Sequence, residues 1–190
     1  GAIHLARVVH ELERANRKLQ ELSMSDGLTG IANRRCFDLR LAEEWRQHVS
    51  DGRSLALLLV DADWFKPLND ACGHPYGDEC LRVLARLCAD AADGREALVA
   101  RFGGEEFVLL LAGCDLVAAR RLAERLRRNV EVRAMVHPKS SVAPCLTISV
   151  GVSAMRPDGL RSPESLVDAA DRALYAAKAK GRNRVVARVA

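Results

Sequence analysis

The sequence predicts an α+β domain preceded by a separate helix. Short apolar strands alternate with amphipathic helices through most of the chain. One pair of strands is joined by a tight turn rather than a helix, so the sheet should be mostly antiparallel with helices packed against it. The first two dozen residues carry a helical heptad pattern and no strand signal.

In chain order, Leu5, Val8, Leu12, Ala15, Leu19 and Leu22 recur at alternating spacings of three and four. They form an a/d seam flanked by Arg7, Glu11, Glu13, Arg14, Arg17, Lys18 and Glu21. About three heptads are short for a coiled coil, so the segment reads either as one half of a dimer stalk or as a helix folded back on its own domain; the regular seam favours the stalk. The chain starts at Gly1 close to this helix, and an upstream sensory domain is expected outside the sequence. A turn at 26–30 leads to a helix at 33–49 with Phe37, Leu41 and Trp45 on one face. A strand at 54–61, a short helix at 63–71 and a helix at 77–91 follow. Two strands flank 103–106, then come a helix at 115–133, an extended or hairpin stretch at 130–143 and a strand at 146–153. Ser162, Pro163 and Glu164 supply an N-cap, a first-turn proline and a first-turn acid for a last long helix, which Gly181 stops; 185–189 closes as a strand.

About half of the 190 residues are apolar, enough for one core and an appendage. The formal charge of +4, from 29 basic and 25 acidic side chains, is too balanced for a nucleic-acid-coating surface. No apolar run is long enough to span a bilayer or act as a signal peptide, so this portion is expected to be cytoplasmic, although a full-length protein could be membrane-anchored. The six cysteines form no C-x-x-C and no zinc-spaced cluster; Cys80 and Cys88 share a helix side with Leu81, Leu84 and Leu87, as small buried hydrophobes would.

The most informative run is Arg101-Phe102-Gly103-Gly104-Glu105-Glu106-Phe107, set between strands. Glycines there let a backbone approach a ligand, and adjacent carboxylates can hold a divalent cation. Alone, the run equally fits a solvated acidic hairpin. Upstream, the strand ending in Val60 continues into Asp61-Ala62-Asp63-Trp64-Phe65-Lys66-Pro67-Leu68-Asn69-Asp70 and then Gly73-His74-Pro75-Tyr76-Gly77-Asp78. A period of two puts Asp61 and Asp63 on one face.

Together with Asp26-Gly27-Leu28-Thr29-Gly30-Ile31-Ala32-Asn33-Arg34-Arg35 near the start and Asp171-Arg172-Ala173-Leu174-Tyr175 through Lys178-Ala179-Lys180-Gly181-Arg182-Asn183 near the end, these segments resemble the GGDEF family of diguanylate cyclases, in a GGEEF form of its signature. The resemblance covers nearly everything from about Ser25, dividing the chain into a 1–24 signalling helix and a 25–190 cyclase domain. It implies the palm-like, ferredoxin-related nucleotidyl cyclase fold. It also implies condensation of two GTP into cyclic di-GMP and two pyrophosphates by a homodimer, formed through the N-terminal helix and across the active site.

By resemblance, Mg²⁺ or Mn²⁺ is held by Asp61, Glu105 and the Ala62 carbonyl, with Asp63 a further ligand; hard carboxylate oxygens suit these ions. Glu106 is the candidate base for the 3′-hydroxyl. Gly103 and Gly104 present amides to the phosphates. Lys178 and Arg182, four apart, project together toward the triphosphate, and Lys66 adds to that cradle. Phe65, Asn69 and Asp78 complete the substrate set. A carboxylate at Asp78 can accept from the ring N–H and exocyclic amine of guanine, which favours GTP over ATP. His74 is expected to brace a turn.

Two other readings share the fold: a catalytically silent GTP-binding or interaction module, and a cyclase making a single-nucleotide cyclic product. The first usually loses signature carboxylates, whereas Asp61, Glu105 and Glu106 are all present; the second lacks the four-motif match. The R-x-x-D pattern that carries product feedback in the family would need Arg at Gly94 and Asp at Ala97, so feedback through that site is expected to be absent.

Overall fold

Every residue of the strand Leu55–Ala62 is buried, as the apolar run at 55–60 leads one to expect of a strand covered on both faces, and the burial extends over Asp61. The protein is described by a computed structural model for residues 2–190, with side chains for 3–19 and 23–190. In chain order the elements are α1 (Ala2–Leu22), α2 (Arg34–Asp51), β1 (Leu55–Ala62), α3 (Phe65–Cys72), α4 (His74–Ala92), β2 (Ala97–Arg101), β3 (Glu106–Ala112), α5 (Leu116–Val132), β4 (Ile148–Met155), α6 (Glu164–Ala179) and β5 (Val185–Val189). The sheet order is β2-β3-β1-β4-β5, antiparallel except for the β4–β5 pair. It is the α+β, mostly antiparallel architecture that the alternation of elements predicts.

Alternation along β1 divides the core. Leu55, Leu57 and Leu59 pack with Phe37, Leu41 and Trp45 of α2 and Leu166, Ala170 and Leu174 of α6. Ala56, Leu58 and Val60 face the other way, against Phe65 and Leu68 of α3, Leu81 and Leu84 of α4, and Leu122 and Leu126 of α5. The Asn33 side chain accepts from the Cys36 N–H at 2.9 Å to start α2, and Asp115 does the same for α5 through the Ala118 N–H at 2.8 Å. Cys80, Cys88 and Cys114 are buried, and all six cysteines are free thiols.

Three sequence-based expectations are revised, and one open alternative is closed. Helix α4 starts at His74 rather than 77, because Gly73 (φ 86°) breaks from α3 and Pro75 suits a first helical turn. Ser162 does not cap α6 with its side chain: its carbonyl accepts from the N–H and hydroxyl of Ser165, while Pro163 already has helical backbone. Much of the expected extended stretch at 130–143 is the end of α5 and a loop, with a lone bridge between Val136 and Cys145. The α1 helix is not folded back: Ile3, Leu5, Val8, Leu12 and Leu19 are exposed along it. Gly1 and the side chains of Glu21 and Leu22 lie outside the described residues. No helix among the described residues is long and apolar enough to cross a membrane.

Gly151 fixes the distance between β4 and α6. A Cβ there would lie 2.1 Å from the Ala170 carbonyl oxygen and 2.3 Å from the Leu174 nitrogen, both rigid backbone. Gly151→Ala is therefore expected to destabilise the domain by about 2–4 kcal/mol, measured by urea denaturation. A loss below about 1 kcal/mol would mean that α6 can move off the sheet without penalty.

Candidate active site

The register of β1 against β3 sets Asp61 opposite Glu106, so two carboxylates leave the same face at the same end of the sheet. Like charges directly across a sheet repel. The hairpin bearing the second carboxylate is braced from three sides. Arg101 donates to the Gly104 carbonyl from Nε at 3.1 Å and Nη2 at 2.6 Å, and reaches Asp26 Oδ1 from Nη1 at 3.2 Å. Phe102 meets Phe37 edge-on with centroids 5.5 Å apart, and the Arg34 guanidinium lies 3.7 Å from the Phe102 ring centroid. The Glu105 carbonyl accepts from the Ala62 N–H at 3.2 Å, closing the hairpin onto β1. Gly103 lies close under the Glu106 carboxylate: a Cβ there would stand 2.7 Å from Oε2, so a larger residue would push that side chain aside. Around Gly104 there is open space.

Asp26, at the far end of the Arg101 brace, also accepts from the Thr29 N–H and hydroxyl at 2.9 and 2.6 Å. Burial acts to raise its pKa, but the Thr29 bonds and the Arg101 charge outweigh it and hold the carboxyl below the usual range.

Lys178 reaches across from α6 and places Nζ 2.9 Å from Asp61 Oδ2. Burial, joined by the Glu105 and Glu106 charges, nonetheless pushes the Asp61 carboxyl from 3.8 up to about 6, against the pull of the Lys178 ammonium. A carboxylate that desolvation and like charge disfavour, with one cation already at its edge, fits a site for further positive charge; oxygen donors of this kind suit Mg²⁺ or Mn²⁺. Among the described residues no three acidic, His or Cys side chains form a metal-binding cluster.

Asp63 shares a face with Asp61 but not its environment. Its Oδ1 accepts from the Ser149 hydroxyl at 2.6 Å, and its Oδ2 accepts from the Thr147 hydroxyl at 2.8 Å and the Asn183 N–H at 3.0 Å. With 1% exposure, this carboxylate is committed to protein donors. That revises the expectation of Asp63 as a metal ligand: it ties the end of β1 to β4 and to the turn before β5.

The base-binding candidates come from the other side of the sheet's end. Asn69, in the last turn of α3, has a buried Oδ1 with no partner. Gly77 makes room for it, since a Cβ there would lie 1.8 Å from that oxygen. Asp78 follows Gly77 on α4 and is half-buried. Phe65 is buried beneath the same contact and supports it rather than lining open space. Lys66 is exposed and has no ion pair among the described residues. Lys178 and Arg182 do not project together as a helical i, i+4 pair would. The helix ends at Ala179, so Lys178 turns to Asp61 while the Arg182 guanidinium lies over the Trp64 ring, 3.9 Å from its centroid. A groove along α5, lined by residues including Arg120, Arg121, Arg125 and Arg128, contains none of the motif residues.

Sequence reasoning missed Thr147, Ser149 and His137. The first two carried a signal, as hydroxyls two apart in a strand otherwise rich in apolar residues. His137 donates from Nε2 to the Trp64 carbonyl at 2.9 Å and accepts at Nδ1 from the Lys139 N–H at 3.3 Å, from a loop with no regular pattern.

The family model for the diguanylate cyclase GGDEF domain matches residues 23–184. The chain is 39% identical over 170 residues to the response regulator PleD of Caulobacter vibrioides, covering 90% of this chain and 37% of that protein. It is 40% identical over 188 residues to the diguanylate cyclase DgcM of Escherichia coli, covering 95% of this chain and 43% of the relative. The chain thus spans about two fifths of these relatives' length. The coiled coil and GGDEF domain of DgcB from Caulobacter crescentus, solved with c-di-GMP, matches at a TM-score of 0.79 and 32% identity, covering 97% of each chain.

The raised Asp61 value sets a sign for pH dependence. The folded protein holds this proton more tightly than the unfolded chain, so the contribution of Asp61 to stability falls as pH rises from about 4 to about 6 and stays unfavourable above that. Asp61→Asn is expected to raise stability by roughly 1–2 kcal/mol at about pH 7.5 and to change little at about pH 4, read by thermal denaturation. An unchanged Tm at the higher pH would mean that Lys178 fully offsets the buried charge.

Proposed function

This chain belongs to the GGDEF family of diguanylate cyclases, and on that premise we propose that it condenses two GTP molecules into cyclic di-GMP with release of two pyrophosphates. The observation that carries the reading is the convergence of Asp61, Glu105 and Glu106 at one end of the sheet with Lys178 among them. Each of two steps is attack by a ribose 3′-hydroxyl on an α-phosphorus. That requires a proton acceptor for the hydroxyl and positive charge for the departing pyrophosphate.

Glu106 is the proton acceptor in this reading. Its carboxylate lies over Gly103, at the mouth of the turn. Asp61, Glu105 and the Ala62 carbonyl would hold Mg²⁺ or Mn²⁺, which when bound neutralises phosphate charge and acidifies the hydroxyl. Lys178, Arg182 and Lys66 bind the triphosphate, and the amides of Gly103 and Gly104 face it. Asn69 and Asp78 take the guanine edge. The unpartnered Asn69 Oδ1 supports this, because a buried acceptor without a donor gains from a base N–H.

Each subunit holds one nucleotide, so the product needs two domains face to face, and α1 supplies the means. At about 1.5 Å per residue its 21 residues extend roughly 30 Å, with Leu5, Val8, Leu12 and Leu19 exposed along an a/d seam. Pairing through that seam raises the effective concentration of the two sites, and a sensory domain upstream could act by shifting its register. GTP as substrate is consistent with a cytoplasmic site of action.

Incubation of the purified chain with Mg²⁺ and GTP, resolved by chromatography and mass, is expected to yield cyclic di-GMP, with no cyclic product from ATP. Glu106→Gln should lower the rate at least about 100-fold with GTP binding retained. Binding of GTP by a confirmed dimer without product would instead favour the silent module. Gly94 sits in a left-handed turn (φ 70°) and Ala97 opens β2, so neither arginine nor aspartate is offered where the feedback pattern needs them. Added cyclic di-GMP is therefore expected to leave the initial rate within about twofold of its starting value; tight product binding with strong inhibition would reveal another product site.

A further inference from the structure

Two corners of the chain meet beside the carboxylates, and both are strained. Trp64, between β1 and α3, has left-handed backbone (φ 55°, ψ 38°). Arg182 and Asn183, in the turn after α6, are left-handed as well, at φ 64° and 44°. Such backbone is uncommon for residues other than glycine and persists only where the surroundings impose it. Here they do. The Trp64 carbonyl is held by His137 at 2.9 Å, the Asn183 N–H by Asp63 at 3.0 Å, and the Asn183 side-chain oxygen by Arg127 Nη1 at 2.9 Å.

Between these anchored corners the Arg182 guanidinium stacks on the indole of Trp64, 3.9 Å from the ring centroid. The indole Nε1 is buried without a partner, so the ring is placed for its face and not for its N–H. Arg182 has no carboxylate partner among the described residues. An aromatic face attracts and orients a guanidinium without using any of its five N–H donors, whereas a carboxylate would occupy two of them. A guanidinium held this way is fixed in direction yet free to donate.

We propose that Trp64 is a positioning residue, whose ring holds Arg182 in the orientation that meets the phosphates of the nucleotide. This rests on the reading of Arg182 as a phosphate ligand. The role belongs to the aromatic face, so substitutions separate it from bulk: leucine fills space without a π-surface, and phenylalanine keeps a smaller one.

A double-variant cycle over Trp64→Leu and Arg182→Ala tests it, read by the KM for GTP and by calorimetric binding of magnesium pyrophosphate. Trp64→Leu is expected to raise both KM and pyrophosphate Kd about five- to tenfold with kcat changed less than about threefold, and Trp64→Phe to recover most of the loss. In the Arg182→Ala background the leucine substitution should add nothing. Effects that multiply in the double variant, or a wild-type KM for Trp64→Leu beside an impaired Arg182→Ala, overturn the proposal. Wild-type KM and pyrophosphate binding in Arg182→Ala overturn the phosphate reading itself, and this inference with it. Should the leucine variant fail to fold, the cycle is run with Trp64→Phe, where a smaller rise that again vanishes without Arg182 supports the proposal and a multiplying one overturns it.

Discussion

The antiparallel register of the two central strands is the constraint from which the site follows. It sets Asp61 across from Glu106, with Glu105 one residue away, on a strand buried on both faces. Nothing in the backbone pairing favours this arrangement of charge; it survives because the flanking apolar residues of β1 and β3 lock the register over seven residue pairs. A slip by one residue would turn Leu55, Leu57 and Leu59 from the α2 and α6 side into the opposite core, a cost far above that of a crowded carboxylate. The hydrophobic core thus supports an electrostatic arrangement that is unfavourable by itself, and Lys178 relieves part of it. The proposed chemistry on a polyphosphate would use such an arrangement, because negative charge at fixed positions can recruit cations and accept a proton.

Around that centre, residues that do no chemistry decide where the chemical groups stand. Asp63 accepts three hydrogen bonds and joins β1, β4 and the turn carrying Arg182 and Asn183. Arg101 joins the hairpin carbonyl at Gly104 to the opening turn at Asp26, and Asp26 is itself fastened by Thr29. These are charged groups held inside polar networks and not at a bare apolar surface, so each is satisfied where it lies. The hairpin and the C-terminal turn are therefore each tied to the sheet by hydrogen bonds from more than one direction.

Most of the elements were legible in the sequence because each carries a local signal: the apolar run of β1, the i, i+4, i+8 face of Phe37, Leu41 and Trp45, the glycines of the hairpin. The motif residues were legible because they sit in continuous strings. What was not legible depends on partners distant along the chain. Asp61 and Asp63 look alike in a period-two reading, yet one meets Lys178 and the other meets hydroxyls more than 80 residues away. The divergence of Lys178 from Arg182 follows from a helix that ends at Ala179 and from left-handed backbone at Arg182, a conformation that no side chain there announces. The N-terminal seam was legible as periodicity, but periodicity cannot distinguish a helix that covers its own domain from one that projects its apolar side chains into solvent.

That last distinction bears on how the domain is used. The two core clusters are complete without α1: both faces of the sheet are covered by α2 to α6, and the apolar residues at the start of the chain add to neither cluster. A helix that adds to neither core cluster, with leucines repeating at a/d spacing, presents an apolar seam of the kind a second helix buries. The packing of the sheet therefore does not depend on side chains of α1. In the reading proposed above, such a domain separates holding one nucleotide, which rests on its interior, from meeting a second site, which falls to the helix outside it.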